Sequence, residues 1–183
     1  FFIIFFPIHT HFLSMNTING FSKGYSMTGW RLGYLGGPQW IASACAKIQG
    51  QVTSGANAFG QKAAITALEG DQNPSSEMKK AFQQRKHLVR NLLQEIPGIK
   101  INDPAGAFYI FPDVSAYFGK SYEGETISNS EEFAEYLLKE ALVAVVGGGA
   151  FGADECIRIS YAASEDELRE CMKRIKEAVS KLN

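Results

Sequence analysis

Cysteine, histidine and excess charge of either sign are all scarce in this sequence. The three cysteines are Cys45, Cys156 and Cys171, and no two share a CxxC spacing. An odd, irregular set builds no disulfide framework, so a reduced, cytoplasmic compartment is expected, with an organellar one left open. The three histidines are His9, His11 and His87. His9 and His11 could face the same way in an extended segment, but two ligands without a third make no metal site, and none is expected. Eighteen basic residues against nineteen acidic ones leave a formal net charge of -1. Such a chain has no field to draw in nucleic acid or an anionic membrane surface. Long apolar runs are missing too. The run from Phe1 to Phe6 stops at Pro7, far short of the ~20 residues a spanning helix needs. No basic residue precedes it, so it is a poor signal peptide.

What is present is a packed-core composition, with 45% hydrophobic and 20% charged residues. A length of 183 residues gives room for one domain or a domain and a half. No repeat or low-complexity tract interrupts it. TINGFSK at 17–23 reads as a strand or turn leading into a loop, and 24–38 as loop plus a short strand. Helices are expected from Ile41 to Gly50 and from Gly60 to Leu68. GDQNPSS at 70–76 punctuates the chain. A long amphipathic helix should follow with Met78, Phe82, Val89, Leu92 and Ile96 near one face, ended by Pro97-Gly98. Beyond it, strands are expected at 99–102, 106–111, 143–146 and 156–161, with a helix at about 131–141. The last helix opens with a Ser164/Glu167 capping box and carries the stripe Leu168, Cys171, Met172, Ile175, Val179 and Leu182. Residues 75–183 thus read as an α+β unit.

The chemistry lies in SKGYSMTGWRLGY, residues 22–34. Lys23 sits among Ser, Gly and aromatic residues rather than in a solvated charge run. Desolvation lowers a lysine's pKa and makes the amine reactive toward a carbonyl. Arg31 follows eight residues later, and arginine grips phosphate or carboxylate with two parallel hydrogen bonds. The hydroxyls of Ser22, Ser26 and Thr28 add donors. A lysine nucleophile beside an anion clamp suits a phosphorylated aldehyde. An ordinary Lys and Arg on a Gly-rich surface loop is the competing reading. In the strand at 156–161, Arg158 and Ser160 should face one way and Ile157 and Ile159 the other; an exposed arginine there would be unremarkable by itself. Gly147-Gly148-Gly149 lacks the GK[ST] ending of a P-loop.

SK followed by MTGWRLGY closely resembles the pyridoxal-lysine signature of class I aminotransferases. The resemblance extends through TSGANAFGQKAAITAL and PAGAFYIFPD to the stretch from Val143 to Ala162, covering about residues 15–183. In detail it is most similar to the aspartate and prephenate aminotransferase subgroup. It implies the α/β PLP-transferase fold of type I, with pyridoxal 5'-phosphate as cofactor. Lys23 then carries the cofactor covalently, Arg31 and Ser22 hold it at the phosphate end, and Arg158 binds the substrate α-carboxylate. Thr53 and Ser54 fall where the family approaches the neighbouring subunit's cofactor, since the family forms homodimers. The implied reaction is transamination of an aspartate- or glutamate-type amino acid with a 2-oxo acid.

Two departures accompany the resemblance. GGGAFG stands where the family has a Pro-Gly-Ser type turn, which implies a looser loop beside Arg158. About the first half of the family's length has no counterpart, so the chain is expected to be an incomplete piece. Residues 1–14 would be an atypical leader, 15–74 the C-terminal part of the large cofactor-binding domain, and 75–183 the small domain. A carbon–sulfur lyase activity on the same scaffold, or an inactive or interaction fragment, remain the alternative readings.

Overall fold

The computed structural model describes the backbone of residues 2–7 and 16–183, and side chains from residue 16 onward. Residues 8–14 of the leader, with His9 and His11, lie outside the described residues. The chain divides into two compact units, Phe1–Glu77 and Met78–Asn183.

The first unit is built on a three-stranded sheet. Strands β1 (Phe2–Pro7), β2 (Thr17–Gly20) and β3 (Leu32–Gly37) lie in the order β1-β3-β2. β3 runs parallel to β1 and antiparallel to β2. As the middle strand it is buried along almost its whole length, which is why LGYLGG reads as apolar and small rather than alternating. Helix α1 is a single turn, Phe21–Gly24. Helices α2 (Gln39–Thr53) and α3 (Ala58–Glu69) follow β3. The core of this unit is small. Phe21, Leu32 and Ala64 are its buried centre, and the Phe21 ring meets Tyr25 at 5.6 Å and Tyr34 at 5.4 Å. By contrast Trp40, Ile48, Val52 and Phe59 are each at least 65% exposed. Four-residue spacing puts Trp40, Ile48 and Val52 along one side of α2, so that helix carries an exposed apolar stripe.

Helix α4 (Asn73–Gln94) begins inside the Gly-Asp-Gln-Asn-Pro punctuation. Pro74 causes no break there, because its missing N–H falls in the first turn, where no intrahelical partner exists. Val89, Leu93 and Ile96 are buried, while Phe82 and Leu92 are only partly so. The stripe expected from sequence omitted Leu93, which completes the i, i+4, i+7 line into the core.

The second unit contains β4 (Tyr109–Ile110), β5 (Ser121–Tyr122), β6 (Glu125–Thr126), β7 (Val146–Gly147) and β8 (Ile157–Ser160). β8 lies between β4 and β7, antiparallel to both. β5 and β6 form a hairpin through Glu123 and Gly124, both at positive φ, which suits a two-residue turn matched to strand twist. Helices α5 (Ser130–Ala141) and α6 (Glu165–Val179) pack with the sheet around Ile157, Ile159, Phe133, Leu137 and Ile175. This is the α+β arrangement expected for the region.

Several expected strands are shorter than their sequence pattern. Residues 99–102 contribute only the bridge Lys100–Asp113. The 106–111 strand is reduced to Tyr109–Ile110 because Ala107 sits at φ 62 and Pro112 cannot donate to a ladder. At 143–146 the ladder starts only at Val146, since Leu142 caps α5 at φ 54 and the Val143 N–H donates to the Leu137 carbonyl.

The capping box of α6 forms as expected: the Ser164 hydroxyl accepts from the Glu167 N–H, and the Glu167 carboxylate accepts from the Ser164 N–H at 2.9 Å. Of the stripe on α6, Leu168, Met172, Ile175, Val179 and Leu182 are buried and Cys171 lies at the rim. Ser164→Ala is expected to lower stability by about 1 kcal/mol in urea unfolding. The hydrogen bonds from Ser164 also lower the Glu167 pKa. The contribution of the carboxylate is therefore full above the ordinary glutamate pKa and fades as pH falls through the lowered one. Among the described residues, no helix is long and apolar enough to cross a membrane.

Candidate functional site

In the first unit, β2 ends at Gly20 and the chain turns at once into α1. The single turn buries Phe21 and Ser22 and leaves Lys23 and Gly24 outside. Ser22 is 8% exposed, and its Oγ has no hydrogen-bond partner among the described residues. A buried hydroxyl left this way costs about 1–3 kcal/mol, a cost that an ordered water or a polar ligand would relieve. Lys23 itself is exposed. The desolvated lysine expected from sequence is not found within this unit, because the inner side of the one-turn helix is taken by Phe21 and Ser22.

After α1 the chain folds back through a tight loop. Ser26 and Arg31 adopt left-handed backbone conformations, φ 52 and 56. Such conformations are uncommon for non-glycine residues and concentrate at functional sites. A short 3-10 turn at Thr28–Trp30 separates them, and the Arg31 guanidinium donates to the Thr28 carbonyl at 3.0 Å. Gly20 and Gly33 are partners in the β2–β3 ladder. The loop therefore leaves and re-enters the sheet at one point, bringing Ser22, Lys23 and Arg31 to the same end of it. Thr53 ends α2 and Ser54 caps it at φ 61, both exposed.

Arg158 belongs to the second unit, on the central strand β8. Burial alternates along it as expected: Ile157 and Ile159 are inside, Arg158 is half-buried and Ser160 exposed. The Arg158 guanidinium lies over the Tyr109 ring at 4.5 Å and the Phe151 ring at 4.6 Å. Among the described residues, no carboxylate forms an ion pair with it. Two π faces stabilise the cation from the sides without using its N–H donors. The edge of the guanidinium is thus available to a planar anion.

The glycine run at 147–149 is not loose, contrary to its sequence. The Gly148 N–H donates to the fully buried Ser130 hydroxyl at 2.9 Å, and the Gly149 N–H to the Glu131 carboxylate at 3.1 Å. A Cβ at Gly148 would lie 2.0 Å from the Ala153 carbonyl oxygen. Close approach, rather than conformational freedom, is what requires glycine there. Sequence reading missed Tyr109 and Phe151 as neighbours of Arg158, and Ser130 and Glu131 as partners of the glycine run. The signal for the rings was the aromatics in GAFYIF and GGGAFG, which carry no information about where each ring goes. Among the described residues, no cluster of His, Cys, Asp or Glu could hold a metal ion.

A sequence profile for aminotransferase class I and II matches residues 10–175. The chain belongs to that family. This aminotransferase chain is 47% identical to the bifunctional aspartate aminotransferase and glutamate/aspartate-prephenate aminotransferase of Petunia hybrida, over 97% of its own length and 40% of the relative's. It is 45% identical to the aspartate aminotransferase of Pinus pinaster, over 93% of its length and 37% of the relative's. The crystal structure of the Rhizobium meliloti aspartate aminotransferase superposes with a TM-score of 0.87 at 44% identity, covering 92% of this chain and 42% of that one. An aromatic aminotransferase from Pyrococcus horikoshii gives 0.81 at 38% identity, covering 94% and 44%. The aminotransferase fold of type I is thereby shown. The chain spans about two-fifths of the length of the curated relatives it matches. Class I aminotransferases in general depend on pyridoxal phosphate, act on amino and 2-oxo acids, and typically form dimers.

Proposed function

We propose that this chain forms the cofactor-lysine and small-domain portion of a pyridoxal-phosphate-dependent transaminase. Its substrates would be an aspartate- or glutamate-type amino acid and a 2-oxo acid such as oxaloacetate, 2-oxoglutarate or prephenate. The observation that carries the proposal is the buried, unpartnered Ser22 hydroxyl directly before Lys23, on a loop that returns Arg31 to the same end of the sheet. A hydroxyl lacking a partner and a guanidinium fit a phosphate, and the adjacent amine fits the aldehyde of the same molecule.

Lys23 would hold the cofactor covalently and, once displaced by the amino acid, carry the proton to and from the substrate Cα. Arg31 would place two N–H donors on the phosphate and Ser22 a third donor. Arg158 would grip the α-carboxylate with its free edge and so fix the direction of the Cα–H bond. The cofactor, when bound, supplies the electron sink that makes that hydrogen acidic. In this reading residues 15–74 are the C-terminal part of the large domain and 75–183 the small domain, in a homodimeric, cytoplasmic enzyme. The three free cysteines fit a reducing compartment.

The phosphate role separates cleanly from the lysine chemistry. Arg31→Gln is expected to weaken pyridoxal phosphate binding by about 10- to 100-fold, the value of a lost charge-assisted contact. Pyridoxal, which lacks the phosphate, should bind the variant and the parent chain alike in fluorescence titration. Equal losses for both ligands, or a loss for neither, would contradict the assignment.

A further inference from the structure

Arg158 is held by two rings of different standing. Tyr109 is fixed by the sheet itself, through its ladder pairing with Ser160 on the same strand as Arg158. Phe151 is not on a strand. It ends a 3-10 turn, Gly149–Phe151, in the loop between β7 and β8, so its position depends on what anchors that loop.

The anchor is the first turn of α5. The Ser130 hydroxyl accepts from the Gly148 N–H and donates to the Glu131 carboxylate at 3.1 Å. The other Glu131 oxygen accepts from the Gly149 N–H. A Cβ at Gly147 or Gly149 would stand 2.7 or 2.6 Å from that carboxylate oxygen, so a side chain at either position would displace the Glu131 carboxylate from the loop. Further along, the Gly148 carbonyl accepts from the N–H groups of Phe151 at 2.8 Å and Ala153 at 3.1 Å. Gly152 then turns the chain at φ 75, a conformation glycine adopts without strain. On the ring's other contact, Phe111 meets Phe151 edge-on at 5.9 Å and 90°.

Burial does not explain Phe151, because 48% of it remains exposed. Its ring meets the guanidinium and, at a right angle, the Phe111 ring. A guanidinium packed against two rings, 4.5 and 4.6 Å from their centroids, keeps its N–H donors for a carboxylate, which it meets best in its own plane as a two-pronged hydrogen-bonded pair.

We propose that Phe151, set in place by the Ser130–Glu131 brace, is a positioning residue that fixes the plane of Arg158 for carboxylate binding. The proposal rests on the reading of Arg158 as the carboxylate-binding residue. Phe151 touches the arginine, not the substrate, and acts through it.

The test uses the full chain with 15N-labelled arginine and maleate, an unreactive dicarboxylate, as probe. The Arg158 Nε–H resonance should be shifted by the ring currents of its two neighbours and should move on adding maleate. Phe151→Leu should reduce that ring-current shift and weaken maleate about 5- to 20-fold, the range expected for losing one face of a partly desolvated cation–π pair. Phe151→Tyr, which keeps the ring, should restore both to within about twofold. Glu131→Gln, which leaves Phe151 intact but weakens its brace, should give a smaller loss in the same direction, and it carries the test if Phe151→Leu does not fold. Arg158→Lys is the control for the underlying reading. If the parent shows no maleate-dependent change, or Arg158→Lys binds maleate as well as the parent, the carboxylate role of Arg158 itself fails. If Arg158→Lys weakens binding while the Phe151 and Glu131 variants do not, or if Leu and Tyr at 151 weaken it equally, the positioning role is overturned.

Discussion

If the proposed function holds, Lys23→Ala is expected to abolish covalent capture of pyridoxal phosphate and, in the whole transaminase, to lower activity by about 10⁴-fold, the upper range for loss of a positioned proton-transfer group. The loss should be chemical rather than structural. Lys23 is exposed, and the inward contacts of its one-turn helix are made by Phe21 and Ser22. Alanine favours helical backbone, and a single surface contact is worth about 1 kcal/mol or less. The variant should therefore melt within a few degrees of the parent while losing activity. Activity within about tenfold of the parent would remove Lys23 from the chemistry, since even a modest general base contributes about 10².

Phe133→Ala is expected to cost about 3–5 kcal/mol, the usual penalty for emptying a large aromatic site. Phe133 is fully buried on the inner face of α5. Its ring stacks on Tyr117 at 5.2 Å with an interplanar angle of 5°, and lies 6.4 Å from Tyr136. Both tyrosines use their hydroxyls to tie distant segments: Tyr117 donates to the Pro97 carbonyl and Tyr136 to the Ala178 carbonyl. Burial pushes both phenols up to about 12, so they stay protonated and can serve as donors at neutral pH. Removing Phe133 leaves a void under both anchors. Total stabilities of single domains are about 5–15 kcal/mol, so the variant should sit close to unfolding in a urea titration, with the midpoint moved and the slope kept. A cost below about 1 kcal/mol would mean that the cluster collapses to fill the void.

Helices α4 and α6 could be read from sequence because each carries its own boundary signals. Ser164 and Glu167 cap α6, Pro74 opens α4, and the apolar stripe on α6 falls where its burial does. The side of β8 on which Arg158 lies followed from two-residue alternation alone. Strand lengths could not be read in the same way. Composition marks residues 99–102 and 143–146 as β-forming, but pairing depends on partners far along the chain and on single backbone angles such as those of Ala107 and Leu142. The motif marked Lys23 and Arg31 as candidates, while the exposure of Lys23 depended on the packing of one short helix turn. The ring pair around Arg158 was hidden for a similar reason. Tyr109, Phe151 and Arg158 come from a strand, a loop and another strand, and only the folded chain brings them together.

Whether Lys23 is the residue that takes the cofactor is decided by a labelling experiment. The chain is incubated with pyridoxal phosphate, reduced with borohydride, digested and mapped by mass spectrometry. About one pyridoxyl group per chain is expected, carried by the peptide containing Lys23 and absent from the Lys23→Ala variant. Label spread over exposed lysines such as Lys47 and Lys79, with none enriched at Lys23, would contradict it.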